Sequence, residues 1–113
     1  MAVLQSGERV VMGGDVREIM QRGSLGLLTL TNRHIIFERV EGTRSRKSHI
    51  VFEVPLSCIS NVWVKGFLAR KLVLEIYWDE TPNRYQFKTA RALEWLAAIR
   101  AASKQKSYVG RVD

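Results

Sequence analysis

Two clusters of cations set among small or apolar residues are where this sequence could do chemistry. The first is Gly42-Thr43-Arg44-Ser45-Arg46-Lys47, which packs three cations and two hydroxyls into one short run. Guanidinium and ammonium groups hold phosphate through charge-assisted hydrogen bonds, and Arg adds bidentate geometry. Arg22, beside Gly23, joins Arg44, Arg46 and Lys47 as a candidate lipid-binding cation. Each cation near an anionic bilayer contributes about 1 kcal/mol, so such a loop gives a weak, salt-sensitive attraction. The same run also fits a solvated hairpin tip. The second cluster is Val64 to Lys71, where Phe67 and Leu68 stand between Lys65 and the Arg70-Lys71 pair. Apolar residues flanked by cations suit insertion into a lipid headgroup layer, and they suit a protein partner equally. A third reading folds Phe67 back onto the protein.

Other chemistry finds less support. His34 and His49 lie near Glu38 and Glu53 in sequence, and one strand register sets His34 opposite Glu53 and Glu38 opposite His49 as outward cross-strand pairs. Neither histidine has a cysteine, nucleophile or carboxylate dyad nearby, so no enzymatic activity, metal site or cofactor is expected. The lone Cys58 lies in a Ser-Cys-Ile-Ser run with no basic neighbour and reads as a small packing residue. Single-strand nucleic-acid binders interleave exposed aromatics with cations. Here Trp78, Tyr85 and Phe87 fall on an expected core face, leaving Tyr77 and Trp63 outside, and nucleic acid is not an expected partner.

The elements that must position these clusters are mostly strands. Period-two alternation marks Ile50, Phe52, Val54 and Leu56 as one buried face, and Leu72, Leu74, Ile76 and Trp78 as another. Seven strands are expected, near 15–21, 24–31, 34–40, 47–55, 59–65, 70–78 and 84–88, with a frayed lead-in around 8–12. The punctuators between them include Gly23-Ser24, Thr31-Asn32, Lys65-Gly66 and Thr81-Pro82-Asn83, with Asn32 suited to a positive φ. One segment has helical period: Ala92, Trp95, Leu96, Ile99 and Ala102 share a face, Thr89 is a candidate N-cap, and the helix should run to about Lys106. A bent antiparallel sheet leaves one end of its core open, and this helix would close it.

The chain of 113 residues has the length of one domain, assigned to residues 1–107, with 108–113 as a flexible C-terminal tail. Its net charge of +7 favours anionic partners, unless the charge serves solubility alone. There is no run of about 18 apolar residues and no basic-then-apolar leader, so a transmembrane segment is not expected and the location is expected to be cytoplasmic, peripheral at a membrane surface.

The run Gly26-Leu27-Leu28-Thr29-Leu30-Thr31-Asn32-Arg33-His34-Ile35-Ile36-Phe37, followed by the Pro-Leu element within Val54 to Val64, resembles the pleckstrin-homology-like superfamily, in particular its GRAM and prokaryotic PH-like branches. The resemblance covers roughly residues 8 to 104. It implies a mainly β fold, a PH-like bent seven-stranded antiparallel barrel capped by one C-terminal α-helix. Positions such as Gly23, Leu28, Leu30, Thr31, Arg33, Ile35 and Ile36 also look like the opening of the GLUE domain of ESCRT-II. These likenesses imply a non-catalytic adaptor that docks weakly to anionic phospholipid or phosphoinositide through basic loops. The alternative they imply is a protein-docking platform of GLUE type, associated with ESCRT-II or ubiquitin. Phosphoinositide-binding PH domains carry a Lys and then Lys/Arg-x-Arg across the first hairpin. This chain offers only Arg17 and Arg22 there, which points to diffuse anionic attraction.

Overall fold

A computed structural model describes residues 6–19, 24–41 and 47–107, with only the backbone of Ser24, Glu41, Lys47 and 104–107. Seven strands precede one helix: β1 (Val10–Glu18), β2 (Ser24–Thr31), β3 (His34–Glu41), β4 (Lys47–Pro55), β5 (Ile59–Lys65), β6 (Lys71–Trp78), β7 (Thr81–Lys88) and α1 (Ala92–Ser107). They form one antiparallel sheet in the order β4-β3-β2-β1-β7-β6-β5. Every connection inside the two halves is a hairpin, and a single 3-10 turn at Leu56–Cys58 carries the chain from the edge strand β4 to the edge strand β5. Among the described residues the halves meet between β1 and β7 over two residue pairs, Arg17 with Lys88 and Glu18 with Phe87.

The inner face of the bent sheet holds Leu28, Leu30, Ile35, Phe37, Leu72, Leu74 and Phe87, all fully buried. The α1 side chains Ala92, Trp95 and Ile99 pack against this core with 1%, 0% and 0% exposure, the apolar stripe expected from the sequence. Thr89 Oγ1 accepts the Arg91 N–H at 3.2 Å, as an N-cap does two residues into a helix. Burying a side chain such as Trp95 or Ile99 contributes about 1.5–3 kcal/mol.

Several expectations are corrected. The first strand is continuous from Val10 to Glu18, because a register shift between Val10 and Met12 absorbs an irregularity that sequence reads as a break. Gly14 is placed where α1 comes close; a Cβ there would lie 3.9 Å from the Trp95 ring. The turn at Thr31-Asn32-Arg33 uses no positive φ at Asn32. Its shape comes from side chains instead: Thr31 Oγ1 accepts the N–H groups of Arg33 and His34 at 3.0 and 2.8 Å, and Asn32 Oδ1 accepts from the Arg9 N–H at 2.9 Å. The segment before β1 thus pins the β2–β3 hairpin.

The expected pairs of His34 with Glu53 and Glu38 with His49 do not form. His34 faces Pro55, Ile36 faces Glu53, and a register shift after Phe37 puts Glu38 opposite Ile50 and Arg39 opposite His49. His34 Nδ1 instead lies 2.9 Å from Glu8 Oε2, which also accepts from the Thr31 hydroxyl. The same bulge turns Ile50 outward to 45% exposure, although alternation assigned it to the core. Trp78, also expected inside, is 50% exposed, since it ends β6 where the barrel wall stops. Val73, expected outside, is buried between its cross-strand neighbours Trp63 and Gln86. The β6–β7 turn is Asp79-Glu80, with φ of 57° and 61°, rather than Thr81-Pro82-Asn83, which belongs to β7.

Candidate functional site

The candidate site grows from one row of the sheet. Lys65 on β5 pairs with Lys71 on β6, Lys71 with Lys88 on β7, and Lys88 with Arg17 on β1. Paired residues of an antiparallel sheet share a face, and the neighbours Leu72, Phe87 and Val16 point inward, so all four cations face outward. At about 4.8 Å per strand the row spans about 14 Å. Like charges directly opposite each other destabilise a sheet, and here the opposition repeats across three successive pairs.

Beside this row the β5–β6 connection rises from the surface. Gly66 adopts φ of 95°, and a Cβ there would lie 2.7 Å from the Ala69 carbonyl oxygen, so the turn needs glycine. It lifts Phe67 and Leu68 to 81% and 92% exposure. The reading in which Phe67 folds back onto the barrel is therefore excluded. Behind the tip lies an open groove of about 760 Å³ between the loop, the outer face of β1 and β2, and the β7–α1 connection. Arg17, Arg70 and Lys88 line it, and Asp15 is the one acid among its described lining residues. Oriented cations around a concavity with an apolar lip hold anionic oxygen at the walls and hydrocarbon at the rim.

Of the residues singled out from sequence, Lys65, Phe67, Leu68, Arg70 and Lys71 come together at this corner. Arg22, Arg44 and Arg46 lie outside the described residues, and Lys47 is described only as the backbone that opens β4 opposite Glu41. Sequence reasoning missed Lys88 and the part Arg17 plays here. The outward parity of each is visible in the alternation, but the β1–β7 pairing that makes them neighbours is not.

A second polar feature lies inside the barrel. Arg39 donates to Glu18 Oε1 at 2.9 Å, and its buried Nε has no hydrogen-bond partner among the described residues. Tyr85 stands close by, its ring 4.7 Å from that of Phe52. Burial pushes the Tyr85 phenol above its ordinary value, the Glu18 carboxylate adds to the rise, and Arg39 opposes it. Among the described residues no three His, Cys, Asp or Glu side chains gather in a way that could hold a metal ion. No described helix is long and apolar enough to cross a membrane.

With this geometry in hand, similarity to solved structures decides the fold. The hSac2 domain from the human phosphoinositide phosphatase Sac2 superposes with a TM-score of 0.67 at 14% identity, over 90% of this chain and 73% of that one. A pleckstrin homology domain from Shewanella amazonensis SB2B gives 0.55 at 17% identity, over 88% and 87%. The chain has the pleckstrin-homology-like fold. No family model matches the sequence, and no curated protein is similar to it at a significant level. The PH-like fold hosts many activities, so function lies in the particular surface this chain builds on it.

Proposed function

We propose that this PH-like domain is a non-catalytic adaptor that docks to anionic membrane surfaces through the β5–β6 corner. The observation that carries this reading is the row Lys65, Lys71, Lys88 and Arg17, a run of facing like charges next to an apolar tip. Such a row costs folding stability and gains when phosphates lie against it. Phe67 and Leu68 enter the headgroup layer while the cations hold its anions, each contributing about 1 kcal/mol near the surface. Arg22, Arg44, Arg46 and Lys47 belong to the same proposal as a second, charge-only contact. One fold relative is a domain of a phosphoinositide phosphatase, which supports a lipid phosphate as the kind of anion involved.

Co-sedimentation with vesicles of phosphatidylcholine, with and without phosphatidylserine, tests the proposal. Binding is expected only to the anionic vesicles, to weaken with salt, and to fall in Phe67→Ser/Leu68→Ser and in Lys88→Glu. Equal binding to both vesicles, or no change in either variant, would overturn it. The second reading is a protein-docking platform of the GLUE type, associated with ESCRT-II or ubiquitin. It draws on the same exposed Phe67 and Leu68, which suit the centre of a protein interface. A protein captured through them in high salt would favour it.

A further inference from the structure

The end of the barrel that carries the β6–β7 hairpin has the inverse character of the β5–β6 corner. There a slot of about 310 Å³ opens between β4 and the β6–β7 hairpin. Phe52, Val54 and Ile76 are buried and line it, with Ile50 and Trp78, about half exposed, beside them. This volume is at the bottom of the range for small-molecule sites, about 300–1,000 Å³, and is of the scale of one or two side chains. Glu53 also lines the slot, and the exposed turn Asp79-Glu80 directly follows Trp78. A chain with net charge +7 thus sets an acid in an apolar hole that ends near an acidic turn, and cations around an apolar knob at another place.

We infer that copies of this chain associate head to tail, the Phe67–Leu68 tip of one entering the slot beside Trp78 of the next. Size and charge both match: two neighbouring apolar side chains flanked by Lys65, Arg70 and Lys71 meet an apolar slot lined by Glu53, with the exposed Asp79-Glu80 turn following its Trp78. Strand β6 runs from Lys71 beside the tip to Trp78 beside the slot, a separation of about 23 Å at about 3.3 Å per residue. A tip therefore does not reach its own slot and must use a neighbour's. Because the two surfaces differ, the contact is heterologous, and each added copy presents a new free tip and a new free slot. The inference shares Phe67 and Leu68 with the membrane proposal but needs the slot, which that proposal does not use.

Sedimentation velocity of the 113-residue chain, from micromolar to millimolar concentration at physiological salt, tests it. The average mass should climb with concentration past twice 12.9 kDa. Phe67→Ser/Leu68→Ser and Trp78→Ser should each weaken association by about tenfold or more. Glu53→Lys/Glu80→Lys, changed only at exposed positions, should do the same without touching the slot's apolar floor. Mixing the tip variant with the Trp78 variant should give a species of twice 12.9 kDa and nothing larger, since one partner retains a slot and the other a tip. A monomer at all concentrations, association that survives in the tip variant or in both slot variants, or a mixture that stays monomeric would overturn the inference. Vesicle binding by Trp78→Ser separates the two ideas: it should persist if the membrane proposal holds, whatever the sedimentation result.

Discussion

Arg39 reaches across the inside of the barrel to Glu18, its terminal nitrogen 2.9 Å from a carboxylate in a residue that is 3% exposed. A carboxylate so enclosed depends on its partner, because water cannot replace the lost charge. Arg39→Met should lower stability by about 3 kcal/mol, the low end of the usual loss because the Arg39 side chain keeps 20% exposure. Glu18→Leu/Arg39→Met should recover most of it. Urea denaturation of the two variants checks this, and a double variant as unstable as the single one would refute the account.

Gly26 lies under the Phe37 ring, and a Cβ added there would also lie 2.7 Å from the Glu38 carbonyl oxygen. Neither the ring, which packs 4.9 Å from Phe87, nor the backbone of β3 has room to retreat. Gly26→Ala should therefore cost about 1–3 kcal/mol, as overpacking does, where the usual gain of Gly→Ala in unfolded-state entropy would predict the opposite sign. A thermal melt decides between the two.

Replacing Lys88 by Glu converts two facing like-charge pairs, with Arg17 and with Lys71, into attractive ones. Stability should rise by about 0.2–1 kcal/mol per pair, while binding to anionic vesicles falls. A variant that melts higher and binds less is expected of a row kept for an anion; one that melts lower would mean the row is held by structural needs.

At the β6–β7 turn, Asp79 and Glu80 both adopt left-handed φ in a two-residue hairpin that pairs Trp78 with Thr81. Glu is poorly suited to this conformation, and Glu80→Gly should add about 1 kcal/mol. The check is the shift of the urea midpoint at unchanged slope.

Tyr85 gives the pH dependence. Burial is the main cause of its raised pKa, and the Glu18 charge adds to it, so the folded state holds the neutral phenol more firmly than the unfolded state. The stabilisation is complete below the ordinary tyrosine range near 10 and is lost as pH rises through the folded value. Stability should fall above about pH 10 in the wild type, and less steeply in Tyr85→Phe. In ultraviolet titration, Tyr85→Phe should remove a phenol that ionises above the ordinary tyrosine range.

Much of the fold was legible because alternation and helical period report burial directly. Strands β2 and β4 and the buried stripe of α1 follow from Leu28, Leu30, Phe52, Val54, Trp95 and Ile99. The errors cluster where one local event overrides the period. A bulge after Phe37 reverses Ile50, a strand end exposes Trp78, and a turn without glycine hides at Asp79-Glu80. Most of the candidate site was legible for a simpler reason: Lys65, Phe67, Leu68, Arg70 and Lys71 are neighbours in sequence. Arg17 and Lys88 join them only through the β1–β7 pairing, which no local pattern encodes.

That pairing also orders the folding of the molecule. Residues on either side of the 56–58 turn form two meanders whose hairpins close over short loops at small entropic cost. Closing the sheet between Arg17 and Lys88 asks the chain to return across 71 positions, and among the described residues two rungs reward it, beside the Arg91 contact to the Gly13 carbonyl. The seam is thus the strand pairing with the least local help. The cations that would meet an anion straddle it, so a bound phosphate would act as a rivet across the joint.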